Sequence, residues 1–262
     1  MVATREERGN QLVQRLGDAG IVLVEWDGTH LIRLGFPLFD TGSQVYFVPD
    51  EDLTFVRDAA AELDMLPLEK VKLKHNCANE LSETSLRYLI DEREAESSEG
   101  FGPIMLLIFA PLSWSGIRLD ELMALDQFTF EPRTPRHNPC LKTPEFVKTI
   151  SIASTCAALI RIMAKIPRKS DLRTKLLCDL KGIVAYCLFD MSYEGMCMDI
   201  PGNDVPLSDK EKQDIEVAVA DIQAWPFRED EIWMQDFMIK AVRSERKYDE
   251  LPALEDAASG NV

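Results

Sequence analysis

The stretch DAGIVLVEWDGTHLIRLGFPLFDTGSQVYFVPD, from Asp18 to Asp50, limits the possible folds more than any other part of the chain. Ile21 to Glu25 is a short apolar run, the signature of a buried strand. Thr29 to Leu34 fits a brief helix closed by Gly35 and Pro37, and Gln44 to Val48 is β-branched and aromatic enough for a second strand. A strand, a turn, a short helix, a loop and another strand therefore follow one another within this one stretch.

The flanks are helical. Leu12, Val13 and Leu16 form one stripe of a helix over Arg5 to Leu16, and Gly17 to Gly20 supplies its stop. Asp50 is positioned to N-cap a helix from Glu51 to Asp64, on which Leu53, Val56, Ala60 and Leu63 keep helical spacing, and Pro67 ends that element. Val71 to Leu73 and Ser85 to Ile90 read as short strands. Ile104 to Phe109 is the clearest buried strand, and Asp91 to Gly102 is a charged surface loop between them. Ile117 to Leu125 either starts a helix or ends the sheet.

Pro132, Pro135, Pro139 and Pro144 interrupt regular structure between Phe130 and Pro144, and the domain junction is placed there. Beyond it the apolar period becomes helical. A helix is expected from Thr143 or Pro144 to Ile166, with Phe146, Ile150, Ala153, Ala157, Ile160 and Ala164 on one stripe. Ser170 caps a second helix, to about Tyr193. Ser208 with Glu211 makes an S-x-x-E capping box for a third, Asp209 to Trp225, and Glu229 to Arg246 is a fourth. The expected class is α+β: a small mixed β-sheet flanked by helices over 1–135, a helical region over 136–250, and a flexible tail over 251–262.

Gly20-Ile21, Trp26, Gly28-Thr29-His30-Leu31, Gly35-Phe36-Pro37 and Val48-Pro49-Asp50 together resemble the nucleotidyltransferase-like proteins of fungal genomes. A basic turn between two later helices, Arg161 to Ser170, extends the likeness over most of residues 10–190. The resemblance implies a nucleotidyltransferase fold. It also implies where chemistry would sit: amides at Gly28-Thr29 meeting phosphate oxygens, and two acids two residues apart on the next strand holding magnesium. The matching positions here are Ser43 and Val45, and neither is an acid. Asp40 is a single displaced acid, and Ile104 to Phe109 offers no third.

The likeness thus points to a member degenerate at its metal-binding acids. Such a protein acts by binding a nucleotide or a partner protein, without a cofactor. Its nucleotide-binding candidates are Gly28, Thr29, Asp40, Ser43, Arg161, Arg168, Lys169 and Ser170, with Lys165 and Arg173 in the same basic cluster. The alternatives are an active magnesium-dependent transferase with a non-standard acid arrangement, or an accessory protein of a fungal specialised-metabolite pathway. The bland reading of the basic cluster is a solvated helix end.

Other constellations carry less. His75, Cys77, His137 and Cys140 make a chemically adequate zinc set, but their spacing is not that of a finger. Ser113-Trp114-Ser115-Gly116 lacks the glycines of a nucleophile turn. Trp225 and Trp233 read as aromatic anchors, for packing or for a partner.

Charge narrows the functional classes further. With 45 acidic against 29 basic residues and a net charge of −16, the 262-residue chain is poorly suited to coat a phosphate backbone, so no extended nucleic-acid partner is expected. Its apolar runs are too short to span a bilayer of roughly 30 Å. The charged start, MVATREERGNQLVQRL, has no apolar core of a signal peptide. A cytoplasmic location with reduced cysteines follows as the expectation. No pattern assigns an oligomeric state.

Overall fold

The computed structural model describes residues 3–36, 42–68, 85–91, 105–123, 144–189 and 208–258. It is α+β, with a six-stranded mixed sheet in the order β3-β4-β2-β1-β6-β5. The strands are β1 Leu23–Trp26, β2 Gln44–Val48, β3 Leu86–Leu89, β4 Leu106–Pro111, β5 Leu122–Met123 and β6 Val147–Ile150. β1 and β2 are antiparallel and pair Val24 with Phe47, Glu25 with Tyr46, and Trp26 with Val45. β2 runs parallel to β4 and β1 parallel to β6, while the outer strands β3 and β5 are antiparallel to their neighbours.

The chain divides into two compact units. Unit 1 comprises residues 1–33, 38–130 and 138–151; unit 2 comprises 34–37, 131–137 and 152–262. Among the described residues, unit 1 contains the sheet with the helices α1 Arg5–Asp18, α2 Asp27–Arg33, α3 Leu53–Glu62 and α4 Leu112–Ser115. Because side chains alternate across a strand, Leu23, Tyr46, Val48, Tyr88, Leu107 and Phe109 share one face. They meet Leu12, Val13 and Leu16 of α1 and Val56, Ala59 and Ala60 of α3 in a single apolar core. Tyr46 lies 5.9 Å and Tyr88 6.3 Å, ring centre to ring centre, from Phe109.

Unit 2 contains α5 Ile152–Met163, α6 Asp171–Ile183, α7 Asp209–Gln223, α8 Ile232–Val242 and α9 Leu254–Ala258; a π-helical turn, Val184–Leu188, prolongs α6. The Ser208 and Glu211 box closes α7 as its sequence implies. Ser170 caps α6 by accepting the Arg173 amide at 3.2 Å.

α1, α3 and α8 end alike. After each, a residue at positive φ (Gly20 at 75°, Asp64 at 55°, Ser244 at 60°) sends its amide to the carbonyl three residues back. The next amide in turn reaches the carbonyl five residues back, closing a Schellman motif. Glycine occupies this position at no steric cost; Asp64 and Ser244 do not.

Several expectations are corrected. The helix expected from Thr143 or Pro144 begins only at Ile152, because Val147–Ile150 pairs with both β1 and β5 as a strand. Phe146 and Ile150 therefore belong to unit 1, and α5, in unit 2, begins at Ile152. A short apolar run ahead of a long helix has no period of its own, and only strand pairing separates the two. Asp50 does not cap α3; its carboxylate accepts from the Ser113 amide at 3.0 Å and from the Ser113 hydroxyl. The first residues of the expected tail are packed, since Leu251 and Ala253 are buried and the Leu254 amide donates to the Ile166 carbonyl at 3.2 Å; residues 259–262 lie outside the described residues. The strand expected at Val71 to Leu73 and the Asp91 to Gly102 loop beyond its first residue lie outside the described residues.

Candidate functional site

The corner formed by β1, α2 and the start of β2 is where the resemblance puts chemistry. β1 ends at Trp26, and Asp27 turns the chain at a φ of 61°, a conformation that asparagine and aspartate tolerate better than most residues. The short helix then places His30 against the Trp26 indole, ring centres 6.1 Å apart and nearly parallel, while Trp26 also meets Phe47 at 5.0 Å. His30 is fully buried, and that desolvation pushes its imidazole down to about 4, so it is neutral at pH 7.

Gly28 and Thr29 are the first candidates. A β-carbon built on Gly28 meets no atom within 4 Å, so packing does not demand glycine there. The Thr29 hydroxyl donates to the Ser43 carbonyl at 3.4 Å, and the Ser43 hydroxyl accepts the Leu106 amide at 3.1 Å. Both hydroxyls thereby tie the entrance of β2 to its neighbours. Val45 is buried opposite Trp26.

Two acids lie in this corner, Asp27 at the turn into α2 and Glu25 within β1, and Glu25 is the buried one. It is 2% exposed, and both of its oxygens accept from Arg33, the Nε at 2.7 Å and Nη2 at 3.1 Å. The pair sits on the sheet face that carries Tyr46, whose phenol is pushed up mainly by burial and then by the Glu25 charge. An acid inside the apolar run Leu-Val-Glu-Trp was its visible signal.

A two-metal site needs at least two converging carboxylates, and the described residues here do not fit one. Val45 has no donor atom, Ser43 is engaged through its hydroxyl, and Glu25 is held by a guanidinium. Among the described residues no three His, Cys, Asp or Glu side chains come together as a metal set. Asp40 and the possible zinc residues His75, Cys77, His137 and Cys140 lie outside the described residues.

The basic cluster belongs to unit 2 and is bound up with its own chain. Arg161 on α5 and Glu231 before α8 are both buried, joined by two hydrogen bonds of 2.7 and 2.6 Å. Arg173 is 1% exposed and donates to the carbonyls of Met163 at 2.7 Å, Pro252 at 2.8 Å and Leu251 at 2.5 Å. Arg168 donates to the Asp249 carbonyl at 2.8 Å and to the Asp256 carboxylate, while its amide meets the Glu255 carboxylate at 3.1 Å. Ser170 serves as the cap of α6, and Lys169 stands exposed beside it. These guanidiniums act as clamps on the Leu251 to Asp256 segment and on the turn before α8.

Gly28, Thr29 and Ser43 are thus gathered in unit 1, and Arg161, Arg168, Lys169 and Ser170 in unit 2. Ser115 of the Ser-Trp-Ser-Gly motif is buried, donating to the Leu112 carbonyl at 2.8 Å and accepting the Ile117 amide at 3.1 Å, a turn-stabilising role. No helix among the described residues is long and apolar enough to cross a membrane. No protein-family model matches the chain, and neither a curated protein nor a solved structure is detectably similar to it.

Proposed function

We propose that this chain is a nucleotidyltransferase-like protein that works by binding, without metal-dependent nucleotidyl transfer, and that its ligand is a partner protein rather than a nucleotide. The observation that carries the reading is the pair Ser43 and Val45. Where the transferase chemistry asks for two carboxylates on one face of a strand, the chain has a hydroxyl tied to a backbone amide and a buried valine.

The preference for a protein partner rests on the guanidiniums. A triphosphate needs cations that can turn towards it, whereas Arg161, Arg168 and Arg173 are already aimed at carboxylates and carbonyls of unit 2. The same unit exposes Ile232 at 55% and Trp233 at 39% on α8, side-chain types enriched in protein interfaces.

Thermal unfolding in the presence of each nucleoside triphosphate, with and without magnesium or manganese, tests the reading. No metal-dependent shift of the midpoint is expected. A magnesium-dependent rise that disappears in Asp40→Ala would overturn it in favour of the active-transferase alternative.

A further inference from the structure

Unit 1 contains a cavity of about 300 Å³ walled by the first turns of α1, the segment that leaves α3, and the edge strand β3. Its lining divides by chemistry. Met65, Leu66, Leu68 and Leu89 are its apolar lining residues, and Arg5, Arg8 and Asp64 its charged ones. A volume near 300 Å³ is at the lower limit for small-molecule sites, which are mostly apolar with a few placed polar groups.

Two features of this wall are unusual for a merely structural crevice. Leu66 is 82% exposed while lining the cavity, which leaves apolar surface beside the opening. Arg8, anchored through its Nη1 to the Asp64 carbonyl at 3.2 Å, has a buried Nε with no hydrogen-bond partner. The buried hydroxyl of Tyr88, in the same wall, has none either. Buried donors are nearly always satisfied in folded proteins, so two of them around one cavity call for an acceptor from outside the chain. Arg5 is held in place by donating to the Asp91 carbonyl at 3.0 Å, which orients a second cation towards the same space.

We propose that this cavity binds a small amphipathic carboxylate, its head group on Arg8 and Arg5 and its short apolar body on Leu66, Leu68 and Leu89. A carboxylate matches the two-point donor geometry of a guanidinium, and an acceptor-only head satisfies donors that a hydroxyl or amine would satisfy less well. Asp64 is among the lining residues, and its negative charge opposes a doubly charged head more than a singly charged one, which favours carboxylate over phosphate. The site is separate from the β1 and α2 corner, so it stands or falls independently of the transferase question.

Octanoate titrated into the full chain, followed by calorimetry and by thermal unfolding, provides the test, with octanol, octylammonium and inorganic phosphate as comparison probes. Saturable octanoate binding is expected, at least tenfold tighter than any of the three. Arg8→Met is expected to weaken it at least tenfold. Leu66→Glu, at an exposed position that leaves the fold intact if Arg8→Met does not, is expected to weaken it similarly by adding a repelling charge at the mouth. Arg118→Met, which removes an exposed guanidinium paired with Asp120, is expected to leave binding unchanged. Octanol binding as tightly as octanoate, phosphate binding as tightly as octanoate, or octanoate affinity unaltered by Leu66→Glu would each overturn the proposal.

Discussion

Arg161 and Glu231, seventy positions apart, form a buried two-point ion pair that fastens the start of α8 to the last turn of α5. Both side chains are 9% exposed, and Arg228 stands 3.5 Å from the same carboxylate, so these guanidiniums supply what water would otherwise give it.

Breaking that pair from one side is expected to be costly. Arg161→Met should lower unfolding free energy by about 3 kcal/mol, because it leaves the buried carboxylate only its longer contact with Arg228. The double variant Arg161→Met with Glu231→Leu should recover most of the loss, since neither charge then needs solvation. Urea unfolding of the two single variants and the double variant measures the coupling; losses that simply add would refute it.

Acid should destabilise the chain through His30. Its folded value is near 4 against an ordinary 6.5, so between those pH values the unfolded chain takes up a proton that the native imidazole refuses. Stability contributed by the neutral ring is complete above pH 6.5 and is lost as pH falls towards 4, by an amount on the order of 3 kcal/mol. Urea midpoints at intervals between pH 7.5 and 4 check this, and His30→Gln should flatten the profile across that window.

Gly17 lies against the ring of Phe146, and a β-carbon there would sit 2.5 Å from three ring atoms. Alanine ordinarily gains about 1 kcal/mol over glycine within a helix. Overpacking costs about 1 to 3 kcal/mol, and the ring is partly buried against the core, so the clash is expected to win. Gly17→Ala should therefore unfold at a lower temperature, and Phe146→Leu in the same chain should restore part of the loss.

Ser244 follows α8 at a φ of 60° with its side chain exposed, so nothing but backbone strain distinguishes it from glycine at that position. Ser244→Gly is expected to stabilise by about 0.5 to 1 kcal/mol. Ser244→Val should move the midpoint the other way, because a β-branched residue fits the left-handed region poorly.

The features legible in the sequence were those set within a few residues. The Ser208 and Glu211 box, the Ser170 cap, the glycine stop after α1 and the span of β2 all depend on neighbours a turn away, and the chain carries them as written. Asp50 shows the limit. It has the chemistry of a cap, but Ser113, sixty-three positions later, offers two donors to its carboxylate, and the distant partner takes it. Val147–Ile150 shows the same thing for secondary structure, since a run of four residues takes its conformation from the strands on either side.

The candidate site divides along the same line. The sequence by itself determined that Ser43 and Val45, the positions to which the resemblance assigns metal-binding acids, are not acids, and that basic residues recur between Arg161 and Arg173 in an acidic chain, because residue type is enough to say so. The tertiary structure alone decided what the charges do: Glu25 is held by Arg33, and Arg161, Arg168 and Arg173 are turned inward to Glu231, Asp256 and the carbonyls of Leu251 and Pro252. A guanidinium reads the same in a sequence whether it faces a ligand or its own chain. Only packing, which brings the partner and removes the water, fixes which of the two it serves.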